Sequence, residues 1–281
     1  RQVAFSAGCP PDYPVEIWDT RSGEQLAELS GNEDIVLTIE WSPSGDRVLT
    51  TYLSGSARIW DAYSFEPLLT ITGNEFEQSL ARASWSPDGS RITLPLPDTT
   101  VVIYDSATGD EIFVFTGHTR GAISSANWSP DGTRIISSTD QGEALIWDAA
   151  TGEVQIDLFP ENFNLEVSYS GWMKDGEQVV LLTEDGYVYV VDSSSGETIS
   201  NFFTRVGSTN APVSLSPSGD RMIIGGYDNV ASGWDIATGT ERFTYEVGGL
   251  VMPAFSPDGS QVLIANGVGD WGRLQIFPVW D

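Results

Sequence analysis

Short apolar runs without polar interruption recur along this chain: Val48-Leu49, Ile135-Ile136, Val179 to Leu182, Met222 to Ile224 and Val262 to Ile264. Such runs predict strands covered on both faces. Each follows a turn rich in Pro, Asp, Ser and Gly, and each precedes a strand that ends on one marked position. Those ends are Trp18-Asp19, Trp60-Asp61, Tyr104-Asp105, Trp147-Asp148, Val191-Asp192, Trp234-Asp235 and Phe277-Pro278, with gaps of 42, 44, 43, 44, 43 and 43 residues. A further strand then alternates, as in Val154-Gln-Ile-Asp-Leu158, which predicts an outer strand half in water. Helix signals are essentially absent. A period of about 40–45 residues with a terminal Trp-Asp predicts radial β-repeats, one four-stranded unit per period.

A second series runs in step with the first: Trp41-Ser-Pro-Ser-Gly45, Trp85-Ser-Pro-Asp-Gly89, Trp128-Ser-Pro-Asp-Gly132, Trp172-Met-Lys-Asp-Gly176, Leu215-Ser-Pro-Ser-Gly219 and Phe255-Ser-Pro-Asp-Gly259. Proline presets φ in these turns, while Asp and Gly supply a side-chain bond and a positive φ. Around Trp128 the pattern predicts strands over 122–128, 133–138, 143–148 and 154–158. An Asp-x-x-Thr/Ser-Gly turn joins the last two and recurs after Asp19, Asp105, Asp148, Asp192 and Asp235.

Two registered motifs in every period make the chain resemble the WD40-repeat family along its whole length. The Ser-Pro-Asp-Gly turns also resemble those of TolB-like propellers. The resemblance implies an all-β, seven-bladed β-propeller of four-stranded antiparallel blades. It is expected to be one domain over 1–281, with repeats at about 1–30, 31–73, 74–117, 118–160, 161–204, 205–246 and 247–281. The first and last blades are expected to be incomplete. Their missing strands would be consecutive in an upstream segment of roughly 20–30 residues.

The family's Gly-His pair survives at Gly117-His118. Its turn Asp stands at Asp12, Asp98, Asp185 and Asp228, but is replaced by Ser54, Gln141 and Trp271, and near His118 it has moved to Asp140. The family's buried His-Ser-Asp-Trp network is therefore expected to be complete in no blade. The resemblance gives His118 and the pairs Trp18-Asp19, Trp60-Asp61, Trp147-Asp148 and Trp234-Asp235 a structural role. Trp41, Trp85, Trp128 and Trp172 are likewise expected in the core.

Charge changes the picture of partners. Forty acidic residues against 13 basic ones give a formal charge of −27, and Lys174 is the only lysine. Such a field repels phosphate backbones and disfavours nucleic acid, while it speeds encounter with basic proteins. The longest apolar runs are far short of a membrane span. One cysteine, Cys9, excludes an intrachain disulfide. With one histidine, a Ser-His-Asp triad would have to use His118, and a zinc site built from several His or Cys ligands is impossible. No Gly-rich phosphate loop ends in Lys, and no cofactor is expected. Asn127-Trp-Ser129 matches a glycosylation sequon, but it lies inside a core repeat.

The Ser-Pro-Asp-Gly and Asp-x-x-Thr-Gly turns share one face and are stereotyped. The opposite face carries the variable connections, at 8–14, 73–78, 160–165 and 266–272, and variable loops on a rigid scaffold are where specificity is placed. On that face the residues before the turn-Asp position are Leu53, Asp140, Glu184, Tyr227 and Asp270, joined by Trp271. Together they are expected to form a partner-binding surface with aromatic anchors and a carboxylate rim. The expected function is a non-enzymatic scaffold for a protein partner of basic or mixed surface, in the same assembly or polypeptide. The alternatives are a hydrolase or lyase using channel carboxylates with a divalent cation, and a structural extracellular or surface-assembly subunit.

Overall fold

The structure, a computed structural model, describes residues 2–6, 15–19, 22–29, 34–72, 83–96, 98–159, 165–204, 212–225, 230–246, 250–256, 258–267 and 273–279. The described residues form antiparallel sheets whose strands neighbour one another in chain order. Five sheets have four strands. In the second sheet they are Val36–Trp41, Arg47–Tyr52, Ala57–Asp61 and Pro67–Ile71, and in the third Ser84–Trp85, Arg91–Pro95, Val101–Asp105 and Glu111–Phe115. The fourth has Ile123–Trp128, Arg134–Thr139, Ala144–Asp148 and Val154–Asp157, and the fifth Val167–Trp172, Gln178–Thr183, Tyr187–Asp192 and Thr198–Phe203. The sixth has Val213–Leu215, Arg221–Gly225, Val230–Asp235 and Thr240–Glu246. The first and last sheets have three strands each, Gln2–Ser6, Val15–Asp19 and Gln25–Leu29, and Leu250–Phe255, Gln261–Gly267 and Arg273–Pro278. Of the seven four-stranded blades the repeat count implies, five are thus present as such.

By contacts the chain forms two compact units, Arg1–Gly117 and His118–Asp281. Their boundary coincides with a repeat boundary read from the sequence.

Within each unit the core lies between sheets. In the first, Leu49, Ala57 and Ile59 of the second sheet pack with Trp85, Ile92 and Leu94 of the third. In the second, Ile136, Ala144 and Ile146 of the fourth pack with Val167, Trp172, Val179 and Leu181 of the fifth. Val180, Val188 and Val190 on the fifth sheet's other face pack with Met222, Ile224 and Trp234 of the sixth. This is why the second strands read as unbroken apolar runs: both faces are dry. Innermost strands meet through small hydroxyls instead. Ser125 Oγ lies 2.7 Å from Ser170 Oγ and 2.9 Å from Ser138 Oγ, all buried. The sequon residue Asn127 donates Nδ2 to the Ser170 carbonyl at 2.7 Å.

The turns hold by the chemistry their sequence suggests. In Ser86-Pro-Asp-Gly89, Ser86 Oγ donates to Asp88 Oδ1 at 2.6 Å and accepts from the Arg91 amide at 2.9 Å, with Gly89 at φ 69°. The Ser86 hydroxyl and the Ser90 amide hold the Asp88 carboxyl down at a pKa of about 2. Where the motif reads Ser-Pro-Ser-Gly, the following Asp takes over: Ser42 and Ser216 donate to Asp46 and Asp220, each at 3.0 Å. In the Trp-Asp turns the carboxylate accepts two amides, for example Asp148 from Ala150 at 3.0 Å and Thr151 at 2.9 Å. The turn after Asp61 has no glycine, and Phe65 occupies the left-handed position at φ 62°, a conformation that costs a non-glycine residue roughly 1–2 kcal/mol.

One device was not anticipated from the sequence. Arg47 stands opposite Asp61 in its own sheet and Arg134 opposite Asp148, and each reaches into the next sheet. Arg47 donates to the Gly89 carbonyl at 2.7 Å and Ser106 Oγ at 3.0 Å, its guanidinium 4.8 Å from the Trp85 ring centre. Arg134 repeats this on Gly176 at 2.8 Å, the Ser193 carbonyl at 3.1 Å and Trp172 at 4.7 Å. The planar fork matches two carbonyl-lined turns and a ring face together, which an ammonium cannot do. Arg134→Lys is therefore expected to destabilise the second unit by about 1–2 kcal/mol, and Arg134→Ala by somewhat more, read as a lower urea midpoint. An Arg134→Lys midpoint equal to wild type would show that only charge matters there.

Candidate functional site

In the second, fourth and fifth sheets the connection between second and third strands sits at the end opposite the Ser-Pro-Asp-Gly-type turn, and Leu53, Asp140 and Glu184 lie on it. The Leu53 amide donates to the Ile35 carbonyl at 2.9 Å, that of Asp140 to Ala122 at 3.0 Å, and that of Glu184 to Glu166 at 3.0 Å. One bond, repeated, ties each position to the start of its own innermost strand and gives the three residues equivalent places. Leu53 is half-buried, Asp140 exposed and Glu184 half-buried. Tyr227, Asp270 and Trp271 lie outside the described residues, as do most of the four variable loops.

The structure brings Asp140 and Glu184 together around a residue the sequence reading missed. Burial raises the pKa of the half-buried Glu166 carboxyl, and the charges of Glu184 and Asp140 raise it further. Three carboxylates from two adjacent sheets thus share one loop end, near enough for two of them to act on the third. Asp140 is anchored, because its Oδ1 accepts the Ala122 amide at 2.8 Å. Among the described residues no group of three or more His, Cys, Asp or Glu is arranged to hold a metal ion.

Beneath this end of the fourth sheet runs a continuous polar chain, which corrects the expectation that no blade completes the buried network. Trp147 Nε1 donates to Ser137 Oγ at 2.9 Å, Ser137 lies 2.7 Å from His118 Nε2, and His118 Nδ1 lies 3.1 Å from Glu143 Oε2. With Ser137 donating to Nε2, the imidazole is neutral and carries its proton on Nδ1 toward the carboxylate. Glu143 takes the place expected of an aspartate. It also accepts the Thr119 amide at 2.9 Å and the Thr119 hydroxyl. Burial works against ionisation of Glu143, but these bonds outweigh it and hold its pKa down. The longer side chain reaches, from the residue just before the third strand, what Asp140 would have reached from the turn.

The other repeat tryptophans find different partners. Trp60 donates to Thr50 Oγ1 at 2.9 Å and Trp234 to Ser232 Oγ at 2.8 Å, while Trp18 donates to Glu16 at 2.9 Å. Trp60, Trp85, Trp128, Trp147, Trp172 and Trp234 are buried, whereas Trp18 and Trp41 are only half-buried. Asp19, Asp61 and Asp235 accept turn amides as Asp148 does.

The repeating four-stranded sheets, with a Trp-to-hydroxyl bond and an arginine bridge to the next sheet, define a β-propeller of WD-type repeats. Residues 23–61 and 109–148 match the family model for the WD domain, G-beta repeat, and these repeat matches support a WD40 β-propeller family. It is 31% identical over 116 residues to protein tipD of Dictyostelium discoideum, covering 40% of this chain and 19% of that protein. It is 35% identical over 104 residues to the serine-threonine kinase receptor-associated protein of the same organism, covering 37% of this chain and 33% of that one. The chain thus matches a third or less of the length of these relatives. Among solved structures, a chain of the crystal structure of a mitotic checkpoint complex superposes with a TM-score of 0.82 at 19% identity, covering 100% of this chain and 88% of that chain. WD40 propellers typically serve in protein–protein interaction.

Two outcomes test the buried chain. Ser137→Ala leaves the fully buried Trp147 indole and the His118 ring without their shared hydroxyl. It is expected to cost about 1–3 kcal/mol in chemical denaturation. Burial lowers the His118 pKa, with Glu143 partly opposing. A histidine with a folded pKa below its unfolded value of about 6.5 takes up a proton on unfolding, so its contribution is full above that pH and declines as pH falls through it. As the only histidine, His118 should give a stability that falls as pH drops below about 6.5. His118→Gln should remove that slope, and a slope unchanged in the variant would assign it elsewhere.

Proposed function

We propose that the chain is one seven-bladed propeller domain over 1–281. In this reading it is a non-enzymatic scaffold whose acidic loop face binds a protein of basic or mixed surface. The observation that carries this reading is that Asp140, Glu166 and Glu184 share one loop end, with the Glu184 amide bonded to the Glu166 carbonyl and both other charges acting on Glu166. Like charges at one end of adjacent sheets raise the cost of ionising Glu166, and a partner's Arg or Lys placed among them relieves that cost. The seven repeats in sequence and the whole-chain likeness in fold support the seven-bladed reading. Positions tied by a backbone bond to the innermost strand lose little conformational entropy on binding, which favours a display platform.

The loop-face reading includes Leu53, Tyr227, Asp270 and Trp271 as further contact positions. Its test is affinity capture from the source cells with wild type, with the triple variant Asp140→Asn, Glu166→Gln, Glu184→Gln, and with a turn-end control, Asp175→Asn, Glu177→Gln. The control should keep the captured protein and the triple variant lose it. Retention by the triple variant would remove these carboxylates from the interface. Glu166→Gln alone should raise the unfolding temperature at pH 7 and leave it unchanged at pH 3. The reason is that a carboxyl whose folded pKa is raised weakens the fold only when ionised.

A further inference from the structure

The fifth sheet carries an aromatic face that the repeat does not require. Tyr187 pairs with Phe203 and Tyr189 with Asn201 across its two outer strands, and alternate residues share a face. The Phe203 and Tyr187 ring centres lie 5.2 Å apart, Tyr187 and Tyr189 6.3 Å, and Tyr189 and Phe159 of the fourth sheet 5.8 Å. Four rings therefore run in a row, and the two at its fifth-sheet end are open, Tyr187 38% and Phe203 49% exposed.

In register, Tyr187 stands where the second, third, fourth and sixth sheets have Ser56, Thr100, Glu143 and Val230. Phe203 stands where they have Thr72, Thr116, Phe159 and Glu246. A residue demanded by blade packing would recur at these positions, as the buried strand residues do. This row does not recur.

Its surroundings select the occupant. Residues 134–205 contain 13 acidic side chains and three basic ones, Arg134, Lys174 and Arg205. Arg134 and Lys174 sit at the Ser-Pro-Asp-Gly-type turn ends, Asp140, Glu143, Glu166, Glu184 and Asp185 lie toward the end that carries Tyr187, and Arg205 lies outside the described residues. Asp185, two residues from Tyr187, is close enough to add to burial in raising the Tyr189 hydroxyl pKa. Ring faces are negative, and a weakly hydrated planar guanidinium stacks on them better than an ammonium. From the open Tyr187–Phe203 pair and the surrounding negative charge, we infer that this rim is a docking site for an arginine side chain of a basic, extended segment of a protein partner. This rests on the scaffold reading but uses different residues from the loop-end carboxylates.

The test is fluorescence anisotropy of the full chain with three labelled 12-residue peptides, alternating Arg-Ser, Lys-Ser and Gln-Ser, at low salt and at about 300 mM salt. The Arg peptide should bind about five-fold or more tighter than the Lys peptide, and the preference should persist at the higher salt, where long-range attraction is screened. Phe203→Leu keeps apolar bulk for folding but removes the ring face, and Tyr187→Phe keeps the ring. The first should abolish the Arg preference and the second retain it. Equal affinity for Arg and Lys peptides, or a preference unmoved in Phe203→Leu, would overturn the site. The Asp140, Glu166, Glu184 triple variant separates the two readings. If that variant alone removes the Arg preference, the contact belongs to the loop-end carboxylates, and the aromatic site fails while the scaffold stands.

Discussion

No sheet in this chain can cover its own apolar faces. The second-strand runs of the fourth and fifth sheets are apolar on both sides, and each hydrophobic cluster draws on two adjacent sheets. A sheet alone would leave Ile135, Ile136, Val179 to Leu182 or Met222 to Ile224 in water, so stability is a property of neighbours. The arginine bridges follow from this dependence. Apolar packing is non-directional and tolerates sliding. Arg47 and Arg134, each fixed to two turns and a tryptophan ring of the next sheet, set how far one sheet is advanced on its neighbour.

The same constraint explains where variation is tolerated. At the Ser-Pro-Asp-Gly ends, turns are short and repeated, because the arginine of the preceding sheet reads their carbonyls. A change of turn length there would remove the acceptor. The opposite ends answer only to the bond tying Leu53, Asp140 or Glu184 to the innermost strand. Side chains at those positions are free to differ, and they do. That freedom permits Asp140, Glu166 and Glu184 to share one loop end without unfolding the sheets below, since the cost falls on one half-buried carboxyl.

Much of this was legible in the amino-acid sequence. Strand positions around Trp128 agree with the structure to within a residue or so, and the turn Asp and Gly residues do what their residue types suggest. What misled was spacing. Gln141 in the turn-Asp position, with Asp140 displaced, implied a broken network around His118, yet Glu143 completes it from the end of the same connection. A carboxylate two residues further on with one more methylene is equivalent in space and different in sequence. The arginine bridges left a signal that motif reading passed over: Arg47, Arg91, Arg134 and Arg221 recur in step with the Trp-Asp period, in a chain poor in basic residues. Glu166 left none, because its neighbours come from another repeat.

Sequence by itself determined the strand count, the turn chemistry, the repeat period and the dominance of negative charge. These are local or additive properties, set by residues within a few positions of one another or by a sum over the chain. Only the tertiary structure decided which carboxylates meet, which imidazole tautomer His118 adopts, which tryptophans are fully covered and which aromatic rings remain open. Those depend on groups some 20 to 60 residues apart placed within hydrogen-bonding or van der Waals distance. Such placement is fixed by the stacking of one sheet on the next, which a one-dimensional pattern does not encode.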